Sequence, residues 1–242
     1  MGAASSVDFA IRALAAATLW LSQMLKLRAS AGHGFRIPTF LDLYYSDPTT
    51  LGNPNLKPES AWNFEAGADW YPSSRIGSSL TVFYSRQHDT IDYTRSSPSD
   101  LWQATNLSGL HFTGVESAVD WKASHTTEIK FAWTLLVGAQ SALHGFESEY
   151  VFNYPVNNGR AECTWTAPHS MMLHSRLGVV ERYQKSPYPV WDSSLARASG
   201  RIRPYLQMTN LSNTGYDEIL NVRMPGRAFI GGAEIVLSRK KD

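Results

Sequence analysis

Residues 60–71, SAWNFEAGADWY, place Trp62, Phe64, Ala66, Ala68 and Trp70 at alternate positions, with Asn63, Glu65, Gly67 and Asp69 between them. A period of two sends successive side chains to opposite faces of an extended chain, so the segment reads as a strand with one oily and one wet face. The pattern recurs on both sides. At 127–137 (TEIKFAWTLLV), Ile129, Phe131, Trp133, Leu135 and Val137 oppose Glu128, Lys130 and Thr134. At 112–121, Val115, Val119 and Trp121 oppose Glu116 and Asp120, and at 160–167 Cys163 and Trp165 oppose Arg160, Glu162 and Thr164. At 171–183, Leu173, Leu177 and Val179 oppose His174, Arg176 and Arg182; near the end, Phe229, Ala233, Ile235 and Leu237 oppose Gly232 and Glu234.

Ten strands follow, at about 24–36, 60–71, 76–92, 109–122, 127–141, 158–167, 170–184, 190–199, 201–210 and 227–238, with an eleventh expected near 8–20. Arg86 and Arg197 fit neither face comfortably, and Pro204 cannot donate to a ladder and should weaken pairing around it. Most segments exceed the ~5–6 residues of soluble strands and suit the ~9–11 of a tilted membrane strand. Connections alternate in length. Tight ones fall at Pro72-Ser73-Ser74, Ser124-His125-Thr126, Ala167-Pro168-His169 and Ser199-Gly200; long ones fall at 38–58, 95–108, 143–157, 185–189 and 211–226. Short turns at one end and long loops at the other describe a transmembrane barrel meander. Trp70, Trp121, Trp165 and, if 8–20 is a strand, Trp20 all precede tight turns, as an interfacial aromatic girdle requires. A soluble β-sandwich with one buried face and a complete ten-stranded barrel with a rim active site are the alternatives.

Composition fits this reading. The 242 residues carry a formal net charge of +1, so nothing favours a nucleic-acid partner. The single cysteine, Cys163, allows no internal disulfide, and no spacing suggests a metal site or a cofactor. No apolar run approaches the ~18 residues of a membrane helix, but alternating strands keep average hydropathy unremarkable. The N-terminus makes a poor signal peptide because Arg12 interrupts its apolar stretch. Catalytic motifs are not found, and His88, Asp89 and Asp92 have no recognisable catalytic spacing.

The segment just before the decisive strand, GFRIPTFLDLYYSDPTTLGNPNLKPE at 34–59, follows no period. Its prolines fix φ and remove donors, so it cannot continue the ladder. Its ends and centre, Gly34-Phe35-Arg36-Ile37-Pro38, Leu43-Tyr44-Tyr45 and Gly52-Asn53-Pro54-Asn55-Leu56-Lys57-Pro58-Glu59, resemble the signature of TonB-dependent outer-membrane receptors. Thr113-Gly114-Val115-Glu116 is similar to the family's short Gly-Val-Glu strand opening. Asn210-Leu211-Ser212-Asn213, Tyr216 and Pro225-Gly226-Arg227 are similar to its closing blocks.

The resemblance implies an all-β antiparallel transmembrane barrel meander of 10–11 strands, corresponding to the C-terminal half of a 22-stranded barrel without its plug. Residues 24–238 would be this barrel portion, 1–23 an atypical N-terminus or remnant of an upstream strand, and 239–242 a basic tail. It further implies residence in the outer-membrane lipid of a Gram-negative cell and uptake of a scarce ligand, such as a ferric siderophore or cobalamin. The remaining barrel and plug would be partners, with the TonB complex reached through the N-terminal part. Arg36, Tyr44, Tyr45, Trp102 and Tyr150 on external loops are the candidate ligand contacts, because guanidinium and aromatic rings suit anionic chelates and apolar ligand rings.

Overall fold

A computed structural model describes residues 13–138, 145–149, 154–219 and 222–237. In chain order the elements are β1 (Ala13–Trp20), β2 (Leu25–Arg36), α1 (Phe40–Tyr44), β3 (Thr50–Leu51), β4 (Glu59–Ser73), β5 (Ile76–His88), β6 (Thr90–Arg95), β7 (Trp102–Leu107), β8 (Leu110–Lys122), β9 (Thr127–Gly138), β10 (Glu147–Ser148), β11 (Pro155–Ala167), β12 (Met171–Arg182), β13 (Tyr188–Arg197), β14 (Ile202–Thr209), β15 (Asp217–Ile219), β16 (Val222–Arg223) and β17 (Ala228–Ile235). Eleven form one antiparallel sheet in the order β1-β2-β4-β5-β8-β9-β11-β12-β13-β14-β17. Every long strand pairs with the next long strand along the chain, giving a meander. Each outermost strand, β1 and β17, has one edge that no described strand pairs. The expected eleventh strand is β1, in register with β2 from Ala13↔His33 to Trp20↔Lys26.

The period-two faces hold across the register. Trp62, Phe64, Ala66 and Ala68 of β4 lie opposite Arg86, Tyr84, Val82 and Leu80 of β5, and Val82 lies opposite Val115 of β8. This face is oily and uncovered. Among large hydrophobics, Trp70 is 53% exposed, Val82 49% and Phe131 44%, while only Ile91, Ala104, Leu107 and Leu110 are buried among the described residues. A soluble sandwich would cover these side chains with a second sheet. Exposed apolar area on this scale is what hydrocarbon must cover.

The other face is polar and cross-linked. Asp69 holds Lys26 at 2.8 Å and the Arg28 guanidinium at 3.3 Å, and Arg28 also donates to Thr81. Further along, Glu162 lies between Arg160 and Arg176, and Arg203 meets Glu234. Asp69, Glu116, Asp120 and Glu128 all fall on this side: Glu116 is in register with Thr81 and Thr134, Asp120 with Lys130, and Glu128 with Lys122 and Thr164.

Trp70, Trp121 and Trp165 stand on the oily face at the end of the tight turns. Trp20 does not join them: it is in register with Lys26, whose ammonium lies 5.7 Å over its ring, and so sits on the polar face, because its strand position has the opposite parity. Eight residues separate Trp70 from Trp62, about 27 Å along a strand. At a tilt of ~40° this is roughly 21 Å along the membrane normal, close to the ~25 Å apolar band of an outer-membrane barrel. Val82 sits midway between Ser78, which pairs with Trp70, and Arg86, which pairs with Trp62. Val82→Arg should therefore cost about 2–4 kcal/mol of folding free energy in lipid vesicles. In a protein whose exposed faces meet water, an exposed substitution of this kind stays within ~0.5 kcal/mol. Urea titration of the folded fraction in vesicles distinguishes the two.

Three expectations need correcting. The strand expected at 76–92 stops at His88, because Asp89 turns the chain with φ 53° and Thr90–Arg95 pairs instead with Trp102–Leu107 as a separate hairpin. The aperiodic insert contains a helix, α1, whose five residues are too few to display a period. The alternative of a complete ten-stranded barrel falls, because eleven strands form the sheet and β1 does not pair with β17. The expectation at Pro204 is met on one side only: β13 and β14 pair from Ser193↔Met208 to Ala196↔Tyr205, stopping one residue short of the proline, whereas β14 keeps register with β17 through Pro204↔Ala233.

Candidate functional site: the external loop assembly

The rung that closes the insert is Arg36↔Glu59, where β2 ends and β4 begins. The guanidinium grips the carboxylate with both prongs, Nε to Oε1 at 2.7 Å and Nη2 to Oε2 at 3.2 Å. Arg36 Nη1 also reaches Asp42 at 3.2 Å. Asp42 in turn completes a capping box: its carboxylate accepts from the Thr39 backbone at 2.8 Å, and the Thr39 hydroxyl accepts from the Asp42 N–H at 3.1 Å. One arginine thus ties the loop's base to its helix.

Gly52 packs against the backbone of this helix. A Cβ there would lie 2.9 Å from the Asp42 carbonyl oxygen and the Tyr44 nitrogen, so the close approach requires glycine. The following Asn53 donates from its backbone to Asp42 O, and its side chain donates to Ala104 O. Asn106 in β7 clasps the other side, accepting from Lys57 N and donating to Lys57 O and Asp89 O. Glu59 accepts from Ile91 N at 2.9 Å. A four-stranded sheet, β10-β6-β7-β3, completes the assembly, with β3 parallel to β7.

The candidate contacts distribute as follows. Tyr44 is exposed beside Phe40, ring centroids 5.1 Å apart. Tyr45 is exposed, and its hydroxyl donates to Asp47 at 2.9 Å. The Asp47 carboxyl, held by the Thr49 backbone and hydroxyl, Tyr45 and the Thr50 backbone, is lowered to about 2. Trp102 joins the same assembly through its backbone N–H to Thr49 O, and its ring is covered by the Arg95 guanidinium at 4.2 Å. Arg36 has its guanidinium nitrogens on two carboxylates. Tyr150 lies outside the described residues. His88, Asp89 and Asp92 do not converge: Asp92 is 1% exposed and bonded to Ser148, while Asp89 meets Ser108.

Sequence reasoning missed Asp42, Asn106, Phe40 and the Arg95–Glu147 pair at 2.7 Å. The alternation of Thr90–Arg95 was the only local signal for the hairpin that carries two of them. An open cleft of about 930 Å³ lies along this hairpin, lined by Leu51, Thr94, Arg95, Leu101, Gln103 and Phe146. Hydroxyl, amide and apolar groups dominate it; its charged groups are Asp100 and Arg95, the latter paired with Glu147.

At the far end of the chain a second loop is clamped by Asn210, 3% exposed with φ 48°. Its amide donates to Thr214 O and Pro225 O, and its carbonyl accepts from Thr214 N and the Ser212 hydroxyl. Asn213 accepts from Arg227 N, and Tyr216 stacks on Tyr188 at 5.0 Å. Gly114 lies beneath the Phe83 ring, where a Cβ would also come within 2.6 Å of Leu135 O. The sequence blocks quoted above are therefore devices for loop and wall geometry.

Residues 14–224 match the family model described as TonB dependent receptor-like, beta-barrel. The vitamin B12 transporter BtuB of Vibrio vulnificus is 35% identical over 96 residues, covering 39% of this chain and 15% of the relative. The BtuB of Photobacterium profundum is 35% identical over 106 residues, covering 40% and 16%. Among solved structures, the copper transporter OprC superposes with a TM-score of 0.72 at 18% identity, over 90% of this chain and 38% of its own. The siderophore receptor PirA of Pseudomonas aeruginosa gives 0.66 at 17% identity, over 89% and 38%. The chain thus spans less than two fifths of these solved receptors' length, and they share its fold.

Proposed function

Because this chain belongs to the TonB-dependent receptor β-barrel family, we propose that it forms a wall segment of an outer-membrane receptor that takes up a scarce ligand, a metal chelate or a cobalamin-like molecule. The observation that carries the proposal is the pairing of an uncovered apolar face with an ion-paired inner face beneath a built loop assembly. The edges of β1 and β17 that no described strand pairs would each expose N–H and C=O groups to lipid at several kcal/mol per group. Further strands of the same barrel are the partners that satisfy them, and a plug domain inside the polar face is the link to TonB. Transport belongs to that completed barrel, and no catalytic role is assigned to this segment.

Tyr44, Tyr45 and Trp102 are the ligand contacts in this reading. Arg36 is allotted to loop positioning, since its charge is already answered by Glu59 and Asp42. The two B12 transporters among the relatives favour a cobalamin-like ligand over an anionic chelate. The test is titration of the chain, folded in detergent micelles, with cyanocobalamin and with a ferric tris-catecholate. Replacing Tyr44, Tyr45 and Trp102 together by Ala should weaken cyanocobalamin binding at least about tenfold, the loss expected when aromatic anchors are truncated. Equal affinity in the triple variant would remove these residues from the ligand site.

A further inference from the structure

We propose that the outward face of this wall carries a binding site for a phosphorylated lipid headgroup, built on Arg86. Register places His33, Trp62, Arg86 and His111 on a single rung crossing β2, β4, β5 and β8. With strands ~4.8 Å apart, the rung spans about 14 Å. It lies on the apolar face, at the level of Trp62, eight residues from Trp70 and at the long-loop end of the strands. The row below it is Ala31, Phe64, Tyr84 and Thr113.

The side chains form one continuous surface. His33 packs on Trp62 with ring centroids 4.8 Å apart, Trp62 stacks along Phe64 at 6.0 Å, and Phe64 along Tyr84 at 6.4 Å. The Tyr84 hydroxyl and His111 Nδ1 are 3.0 Å apart, with their rings stacked. Arg86 is exposed beside them, and among the described residues no carboxylate lies within ion-pair distance of it.

A guanidinium facing hydrocarbon is costly unless it reaches a polar partner at the interface. On the inner face Arg28, Arg160, Arg176 and Arg203 each meet a carboxylate, whereas outward Arg86 has an indole and an imidazole as its cross-strand neighbours. Its complement is therefore an anion from the membrane. A phosphate monoester fits best, since a planar guanidinium binds phosphate through two parallel hydrogen bonds. The neighbouring indole and phenol rings seat the headgroup at interface depth. The orientation of Arg86, which suited neither face when read locally, acquires a use at this height.

The site rests on the reading of this face as lipid-facing, and the test separates the two. The full chain is folded into phosphatidylcholine vesicles, and insertion is scored by heat-modifiable gel mobility. Association of spin-labelled phosphatidic acid is then compared with that of spin-labelled phosphatidylcholine. The expected result is a preference of about fivefold or more for phosphatidic acid, the factor one interfacial cation supplies. Arg86→Gln should bring the preference close to one, Arg86→Lys should retain part of it, and Arg75→Gln at the opposite end should leave it intact. Inorganic phosphate should not displace the lipid, because it lacks the acyl anchor. An inserted chain with no preference, or with one that survives Arg86→Gln, overturns the site alone; an inserted chain whose tryptophans are not quenched by brominated acyl chains overturns the lipid-facing reading and the site together.

Discussion

Glu59→Ala should release two external loops at once. Its carboxylate binds Arg36 through two prongs and also accepts the Ile91 N–H, so one side chain joins the base of loop 37–58 to the hairpin at 90–107. Removing it leaves Arg36 with Asp42 alone and Ile91 N without its acceptor. Charge-assisted bonds and part-buried donors of this kind suggest a loss of about 2–3 kcal/mol in loop closure. The side chains are partly exposed, which argues against a larger figure. As an opening equilibrium this is a roughly 30- to 160-fold change.

Limited chymotrypsin digestion in detergent micelles reads it directly, since Tyr44, Tyr45, Tyr93 and Trp102 all lie in the released segments. Cleavage should accelerate in both loops together, while the wall keeps its heat-modifiable mobility. Glu59→Gln should fall in between, because an amide oxygen can still accept from Ile91 but carries no charge for Arg36. Acceleration in loop 37–58 alone would show that Ile91 is held by something else.

The second large effect is expected at Asn210. Asn210→Ala deletes four side-chain hydrogen bonds within the last external loop and places alanine at φ 48°. Left-handed backbone costs a residue with a Cβ roughly 1–2 kcal/mol, and asparagine is among the few types that tolerate it. With two or more buried polar groups left without partners, the total is about 3–4 kcal/mol. Asn210→Gly removes the bonds but not the backbone fit, so it should recover about 1 kcal/mol relative to alanine. Hydrogen exchange at the amides of Thr214 and Arg227 is the appropriate measurement, because both donate to asparagine carbonyls within this clamp. If Asn210→Ala exchanges at the unmodified rate, the clamp does not hold the loop.

Both effects concern residues that the sequence identified as a pattern and the structure resolves into geometry. Arg36 and Glu59 stand 23 positions apart in the quoted insert, and only antiparallel register makes them neighbours. Asn106 and Lys57 are 49 positions apart, and no local feature of the chain links them. Trp102 was foreseen as a loop residue, but its place beside the insert follows from the parallel pairing of β3 with β7.

What the sequence by itself determined is the wall: which segments extend, which face of each is oily, and which connections are tight. Those follow from the two-residue repeat of an extended backbone, a property each strand carries alone. Only the tertiary structure decided the level at which Arg86 meets Trp62 and His111, the carboxylates that occupy Arg36, and the hairpin folded over the rim. These depend on register between strands and on closure of long loops, where the partners of a side chain are set by segments far along the chain.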